Sequence, residues 1–282
     1  RLFEFPSTIP YSDQFADQST IGQRRERANE RVVMLSYFIL VIAGLTAGAI
    51  NALAGGGTLI SFPALIWIGV PPIMANATAT LTALPGYIAS AWAYRHDLHA
   101  EGTLKLRVVY MVTAIGGLIG AVLLLVTSSD AFTGIIPWLL LTATTLFAVG
   151  PSLIAMVKRR DLGPVGPVAS ALALGIVAIY GGYFNGGLGI ILLAVLGLIG
   201  FENLHNMNGL KNLLSAILSV VSVTTYAVAG MIAWESALVL AVATTIGGYL
   251  GARYARRIQN TRVLRIVIVV IGVWMTLVFF IF

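Results

Sequence analysis

At 282 residues, 58% of them hydrophobic and 10% charged, the chain falls far below the roughly 25% charged residues of an ordinary soluble domain. A mean hydropathy of +0.92 carries the apolar character to the outer surface, which excludes a soluble globule and makes lipid the expected solvent. The net charge of +6, from 17 Lys+Arg against 11 Asp+Glu, reads as a topology signal rather than nucleic-acid affinity, and the absence of cysteine removes disulfides, thiolate chemistry and Cys-ligated metals.

Residues 1–31 form a polar tail with Pro6, Pro10, Asp13, Asp17 and the run Arg24-Arg25-Glu26-Arg27, and read as neither signal peptide nor membrane span. Apolar runs long enough to cross a core of roughly 30 Å follow near 32–53, 72–94, 104–126, 133–157, 165–184, 207–230, 234–253 and 263–282. Two further runs, 57–69 and 188–200, would reach only roughly 20 Å as helix and are expected as half-length or broken helices.

Each short run is opened by glycines behind an asparagine: Asn51 before Gly55-Gly56-Gly57, and Asn185 before Gly186-Gly187-Leu188-Gly189. Glycine lets backbone approach a ligand closely, and a helix N-terminus carries about half a positive charge, so two helices beginning inside the membrane could aim at one anion. Asn51, Gly56, Gly57, Asn185, Gly187 and Gly189 are therefore candidate binding residues. In the 72–94 run, Asn76 and Thr80 stand four apart on one helix face, where they serve either a ligand or hydrogen bonds between helices. The loop pair His96 and His99 reads as a solvated segment rather than a metal site. In the 207–230 run, Asn208, Lys211, Asn212 and Ser215 share a face, and Lys211 is the one charge inside an apolar segment. A bound anion would compensate that ammonium; the alternative is that it snorkels to the headgroups. The pairs Gly44/Gly48, Gly116/Gly120 and Gly247/Gly251 suit close helix packing. Carboxylates occur only in the tail, loops and segment ends, so an enzyme is not expected, and neither is a cofactor or a bound metal.

The chain repeats itself. Ile115-Gly116-Gly117-Leu118-Ile119-Gly120-Ala121 matches Ile246-Gly247-Gly248-Tyr249-Leu250-Gly251-Ala252 at an offset of 131, which also pairs Gly55-Gly56 with Gly186-Gly187; an offset of 132 pairs Asn76 with Asn208 and Thr80 with Asn212. The expected organisation is a tail (1–31), a first membrane repeat (32–160) and a second (161–282). Each repeat holds five segments, and five crossings would invert the second half against the first. Ten crossings place Arg95, Lys105, Arg107, Lys158, Arg159, Arg160, Arg253, Arg256, Arg257, Arg262 and Arg265 on one side, the cytoplasm by the positive-inside rule. Treating the short helices as re-entrant would put the arginines of 253–265 on the opposite side from the other six charges.

Taken together, Asn51-Ala-Leu-Ala-Gly55-Gly56-Gly57-Thr-Leu-Ile-Ser-Phe-Pro63, Ala75-Asn76-Ala77-Thr78, Gly182-Tyr-Phe-Asn185-Gly186-Gly187-Leu-Gly189, Asn208-Gly-Leu-Lys211-Asn212 and Gly248-Tyr-Leu-Gly251-Ala-Arg253 resemble the sulfite exporter TauE/SafE family of bacterial membrane permeases over roughly residues 33–282. The resemblance implies export or exchange of small sulfur-containing anions, such as sulfite and organosulfonates, across the cytoplasmic membrane. The expectation is an all-α transmembrane secondary transporter of about ten helical segments. Its partners would be a small anion and the lipid bilayer, with no nucleic acid, and a homo-oligomer is left open. The alternatives are a non-transporting membrane assembly factor or a permease for another small anion.

Overall fold

The computed structural model describes the backbone of residues 11–54, 56–159, 165–255 and 262–281, with side chains for all of these except 11–29, 52–54, 151, 153–159, 204, 252–255, 262–265 and 267. The first part of the tail, Gly55, the 160/161 boundary and the side chains of the arginines at 253–265 lie outside the described residues. What is described is helix, with no strand: α1 Tyr11–Ala54, α2 Thr58–Trp67, α3 Pro72–Ala93, α4 Leu106–Val126, α5 Ser129–Arg159, α6 Pro167–Tyr183, α7 Leu188–Ile199, α8 Leu204–Val228, α9 Trp234–Ala255 and α10 Arg262–Ile281. The chain divides into two units at Ile39/Leu40. The first ends in α1, where Val32–Leu35 and Phe38 are exposed; the second holds the bundle.

Local chemistry sets the breaks. Gly69 takes φ +92° after α2 and Pro71-Pro72 starts α3, since proline suits the first helical turn, where no N–H partner is needed. Gly200, at φ +104°, closes α7, and the Asn203 side chain accepts from the N–H groups of His205 and Asn206 to open α8. The helices α2 and α7, of 10 and 12 residues, are too short to cross alone. Among the described residues, four segments are both long and apolar enough to span a membrane: Glu30–Asn51, Leu106–Val126, Ser129–Gly150 and His205–Val228. Helices α3 and α9 are 22 residues each, but α3 carries Asn76, Thr78, Thr80 and Thr82, and α9 carries Thr244 and Thr245, so their apolarity is diluted. Leu118, Leu172, Ile176, Val242 and Val270 are exposed, as suits a lipid-facing belt, and Trp67, Trp92 and Trp234 mark helix ends.

Glycines set how the helices meet. A Cβ at Gly48 would strike the backbone of Thr244 and Gly248, and one at Gly251 that of Ala49, so α1 and α9 run parallel with backbones in contact. Gly116 meets Ala178 and Gly120 meets Ile179 and Tyr183, which makes α4 and α6 parallel in the same way. By contrast α3 and α8 are antiparallel: Gly209 lies under Tyr94, while Thr78 accepts a hydrogen bond from the Ala233 N–H at 3.0 Å. Helices α5 and α10 are antiparallel as well, with Trp138 edge-on to Phe280 at 5.1 Å and Thr144 against Gly272. Further neighbours are α3 with α9, α4 with α8, α2 with α10, α5 with α7, α2 with α3 and α7 with α8. Exchanging each helix for the one five places along turns each of these pairings into another of them or into itself, whereas α3 with α5, also neighbours, has no such counterpart among the closer contacts of the described residues.

Candidate functional site

A cavity of about 360 Å³ opens between α1, α2, α3 and α9, with Asn212 of α8 reaching its wall. That volume lies at the lower end of the roughly 300–1,000 Å³ of small-molecule sites. Its polar lining is neutral: Asn51, Thr58, Ser61, Tyr87, Ser90 and Asn212, joined by three threonines, Thr82, Thr244 and Thr245. Of the residues that dilute α3 and α9, Thr82, Thr244 and Thr245 stand at this wall, as suits hydroxyls that are costly in a lipid-embedded bundle unless they face a partner or water.

Three features shape this space. Pro85 and Gly86 sit inside α3, and Gly86 leaves room, the nearest group to an added Cβ being Asn51 Nδ2 at 3.7 Å. Gly57 is required by packing, because a Cβ there would strike the Ala47 carbonyl. The start of α2, Gly57-Thr58, lies at the wall, so the positive end of that helix faces the cavity. At its depth the buried Tyr87 hydroxyl stands among Asn51, Thr58 and Asn185, 3.5 Å from Asn185 Oδ1, and Asn185 Nδ2 in turn donates to Ser219 Oγ at 3.5 Å.

Of the residues singled out from sequence, Asn51, Gly57 and Asn212 line the cavity. Asn185 stands one hydrogen bond behind it, through Tyr87. Lys211 neighbours Asn212 in sequence, and its Nζ lies 3.5 Å from Asn208 Oδ1; among the described residues no carboxylate pairs with it. The other five sit in packed surroundings. Gly56 abuts the Phe147 ring, Gly187 takes φ +71° against Ala143, and Gly189 is buried in α7. Asn76, fully buried, donates from Nδ2 to the Tyr183 carbonyl at 2.8 Å while its Oδ1 has no partner, and the Thr80 hydroxyl bonds the Asn76 carbonyl at 2.9 Å. Sequence reasoning missed Tyr87, Thr58, Ser61, Ser90 and the Thr244-Thr245 pair. The available signals were a proline-glycine step within an apolar run and hydroxyls recurring on α3 and α9.

The second half does not hollow out at the equivalent place. At the repeat offsets Gly57, Ser61 and Gly86 correspond to Leu188, Leu192 and Leu218, which are buried together with Leu174, Val177 and Leu214. The positive end of α7 is thereby sealed by Ala143 and leucine, whereas that of α2 meets open space.

Outside the bundle, the loop after α3 is tied to the α7–α8 turn. Glu101 accepts from the N–H groups of Glu202 and Asn203 at 3.1 and 3.3 Å and pairs with His99 Nε2 at 2.6 Å. Asn206 bonds both backbone groups of His99. Partial burial opposes the Glu101 charge, but these donors outweigh it and hold the carboxyl below its ordinary value.

The family model of the sulfite exporter TauE/SafE matches residues 40–279. The chain belongs to that family. It is 29% identical over 242 residues to the probable membrane transporter protein YfcA of Escherichia coli strain K12, covering 84% of this chain and 87% of that one. It is 25% identical over 234 residues to the probable membrane transporter protein ORF9 of a Sinorhizobium species, covering 83% and 88%. A third relative, the probable membrane transporter protein YunE of Bacillus subtilis strain 168, is 24% identical over 264 residues, 84% of this chain and 96% of its own. The chain is thus a multi-pass membrane protein of a transporter family, and the match covers the bundle from the middle of α1 to the end of α10.

Proposed function

We propose that the protein is a secondary transporter moving a small sulfur-containing anion, sulfite or an organosulfonate, across the cytoplasmic membrane by alternating access. The observation that carries the reading is the cavity of about 360 Å³, whose mainly apolar wall of alanine, glycine and proline is set with a few amides and hydroxyls and with the start of a broken helix, within a bundle whose outside is apolar. Such a lining offers an oxyanion hydrogen-bond donors without a permanent ion pair that would hold it too tightly to release. Lys211, next to Asn212 in sequence and with no carboxylate partner among the described residues, would supply the counter-charge. The helix directions support two inverted halves: five crossings in each half make α3 and α8 antiparallel, and α5 and α10 likewise, whereas re-entrant α2 and α7 would make both pairs parallel. The cavity runs to Ala93 and Tyr249, next to the helix ends that lead to Arg95 and Arg253, and so opens toward the cytoplasm.

The test is a thermal-shift panel on purified protein with sulfite, sulfate, thiosulfate, sulfoacetate, taurine and acetate. A ligand bound only by the folded state raises the melting temperature, by an amount that grows with the logarithm of its concentration relative to its dissociation constant. A sulfur oxyanion or sulfonate is expected to stabilise the native protein and to lose that effect in Tyr87→Phe. A panel in which acetate alone stabilises, or none does, would exclude this substrate class.

A further inference from the structure

Helix α8 carries a polar seam along its whole length: Asn208, Asn212, Ser215, Ser219, Ser222 and Tyr226 recur at intervals of three or four residues and so share one face. The last four are at most 1% exposed. A run of buried hydroxyls inside a membrane-spanning segment calls for a reason, because each is costly in lipid without a partner. Their contacts account for only part of it. Ser219 accepts from Asn185, and Ser222 and Tyr226 both donate to the Gly182 carbonyl, next to the non-helical link between α6 and α7. The Ser215 hydroxyl is fully buried and bonds nothing.

The seam has a counterpart. At the offset of 132, Asn208, Asn212, Ser215, Ser219, Ser222 and Tyr226 correspond to Asn76, Thr80, Ala83, Tyr87 and Ser90 of α3 and to Tyr94 at its C-terminal end, three of the six pairs being identical. In α3, Tyr87 and Ser90 of this pattern line the open cavity. In α8 the same pattern is shut against the α6–α7 link and flanked by Leu188 and Leu218. The two seams meet at depth, through the Tyr87–Asn185–Ser219 hydrogen-bond chain.

We infer that the α8 seam is a second ligand-binding surface for the same oxyanion, closed here and exposed toward the opposite membrane face when the cavity closes. This rests on the transporter reading. Ser215, Ser219, Ser222 and Tyr226 offer hydroxyl donors to an anion that has left Tyr87 and Ser90, and the Gly182 carbonyl is the partner of Ser222 and Tyr226 while the surface is shut.

The cysteine-free chain allows single-cysteine labelling with sulfonatoethyl methanethiosulfonate, a membrane-impermeant small sulfonate that reacts with thiolate and therefore only where water reaches. Ser90→Cys is probed in inside-out vesicles; Ser215→Cys, Ser222→Cys and the lipid-facing Val220→Cys are probed in intact cells. Ser215→Cys removes no hydrogen bond, so it reports even where a cysteine at 222 disturbs folding. The expected result is that Ser90→Cys reacts and that the seam cysteines react at least tenfold faster than Val220→Cys. Seam cysteines no faster than Val220→Cys, with Ser90→Cys reactive, would make the seam packing alone and leave the cavity reading standing. An unreactive Ser90→Cys would bring down both.

Discussion

Lys211 concentrates the electrostatic question at a single side chain. An ammonium beside an amide oxygen at 3.5 Å, with no carboxylate partner among the described residues, is under-compensated, and the proposed anion would compensate it. A charge-assisted contact contributes about 1.5–3 kcal/mol, so Lys211→Met should weaken anion binding by roughly tenfold to a hundredfold. The empty variant should melt at the same temperature or higher, because an unpaired charge has been removed. Ligand affinity and apo melting temperature measured on one preparation separate this from a structural lysine, which would melt lower with affinity intact. Gly86 gives a complementary test. Its added Cβ meets only Asn51 Nδ2 at 3.7 Å, so Gly86→Ala should hold or raise stability by about 0.5–1 kcal/mol through a better helix former. Gly86→Leu, placing in the cavity the side chain that Leu218 supplies at the equivalent place, should abolish binding in a protein that still folds. The same measurement at Gly56 or Gly187 would be ambiguous, since one is packed on Phe147 and the other needs φ +71°.

Among the elements, the tie between the loop after α3 and the α7–α8 turn joins the two halves at one end of the α3–α8 pair. Glu101 is held below its ordinary value of 4.5, so it binds fewer protons folded than unfolded near that pH. Its contribution is therefore complete above pH 4.5 and is lost as pH falls through the lowered folded value. Glu101→Gln should cost about 1 kcal/mol at neutral pH through weaker acceptance from the Glu202 and Asn203 N–H groups. The gap in melting temperature between native protein and variant should narrow on acidification; a gap that stays constant from pH 7 to pH 3.5 would show the charge to be idle. Sequence anticipated a solvated segment for His96–His99, with nothing to suggest that Glu101, in a different loop from Glu202 and Asn203, would bind their backbone. Such partners are set by tertiary contact, and residue type alone carries no trace of them.

For the molecule as a whole, much of the architecture was legible and less of the site. Broken helices at 57–69 and 188–200 were visible because an apolar run of that length cannot span, and glycine packing was visible in its spacing. The cavity lining was hidden because threonine and serine on α3 and α9 read equally well as interhelical hydrogen bonds; only their convergence on one space separates the two. Conversely Asn76 and Gly187 carry strong local patterns that the fold uses for packing and backbone geometry. The direction of the chain yields a test at this scale. With ten crossings, Asp97→Cys and Gln259→Cys both face the cytoplasm and should resist an impermeant thiol reagent added to intact cells. Labelling of position 259 alone would favour re-entrant short helices.

A bundle hollow beside Gly57, Ser61 and Gly86 and filled with leucine at the equivalent positions of its other half would, if it alternates as proposed, not divide its time evenly between two faces. Opening the filled side separates Leu188, Leu192 and Leu218 from the cluster around them, and apolar area re-exposed to water costs about 25 cal/mol per Å². On the alternating-access cycle proposed above, the unloaded protein is expected to rest toward the hollow side and its reorientation without cargo to be the slow step. A carrier of that kind runs faster as an exchanger than as a one-way exporter: anion supplied on the far side should accelerate efflux of labelled anion from proteoliposomes.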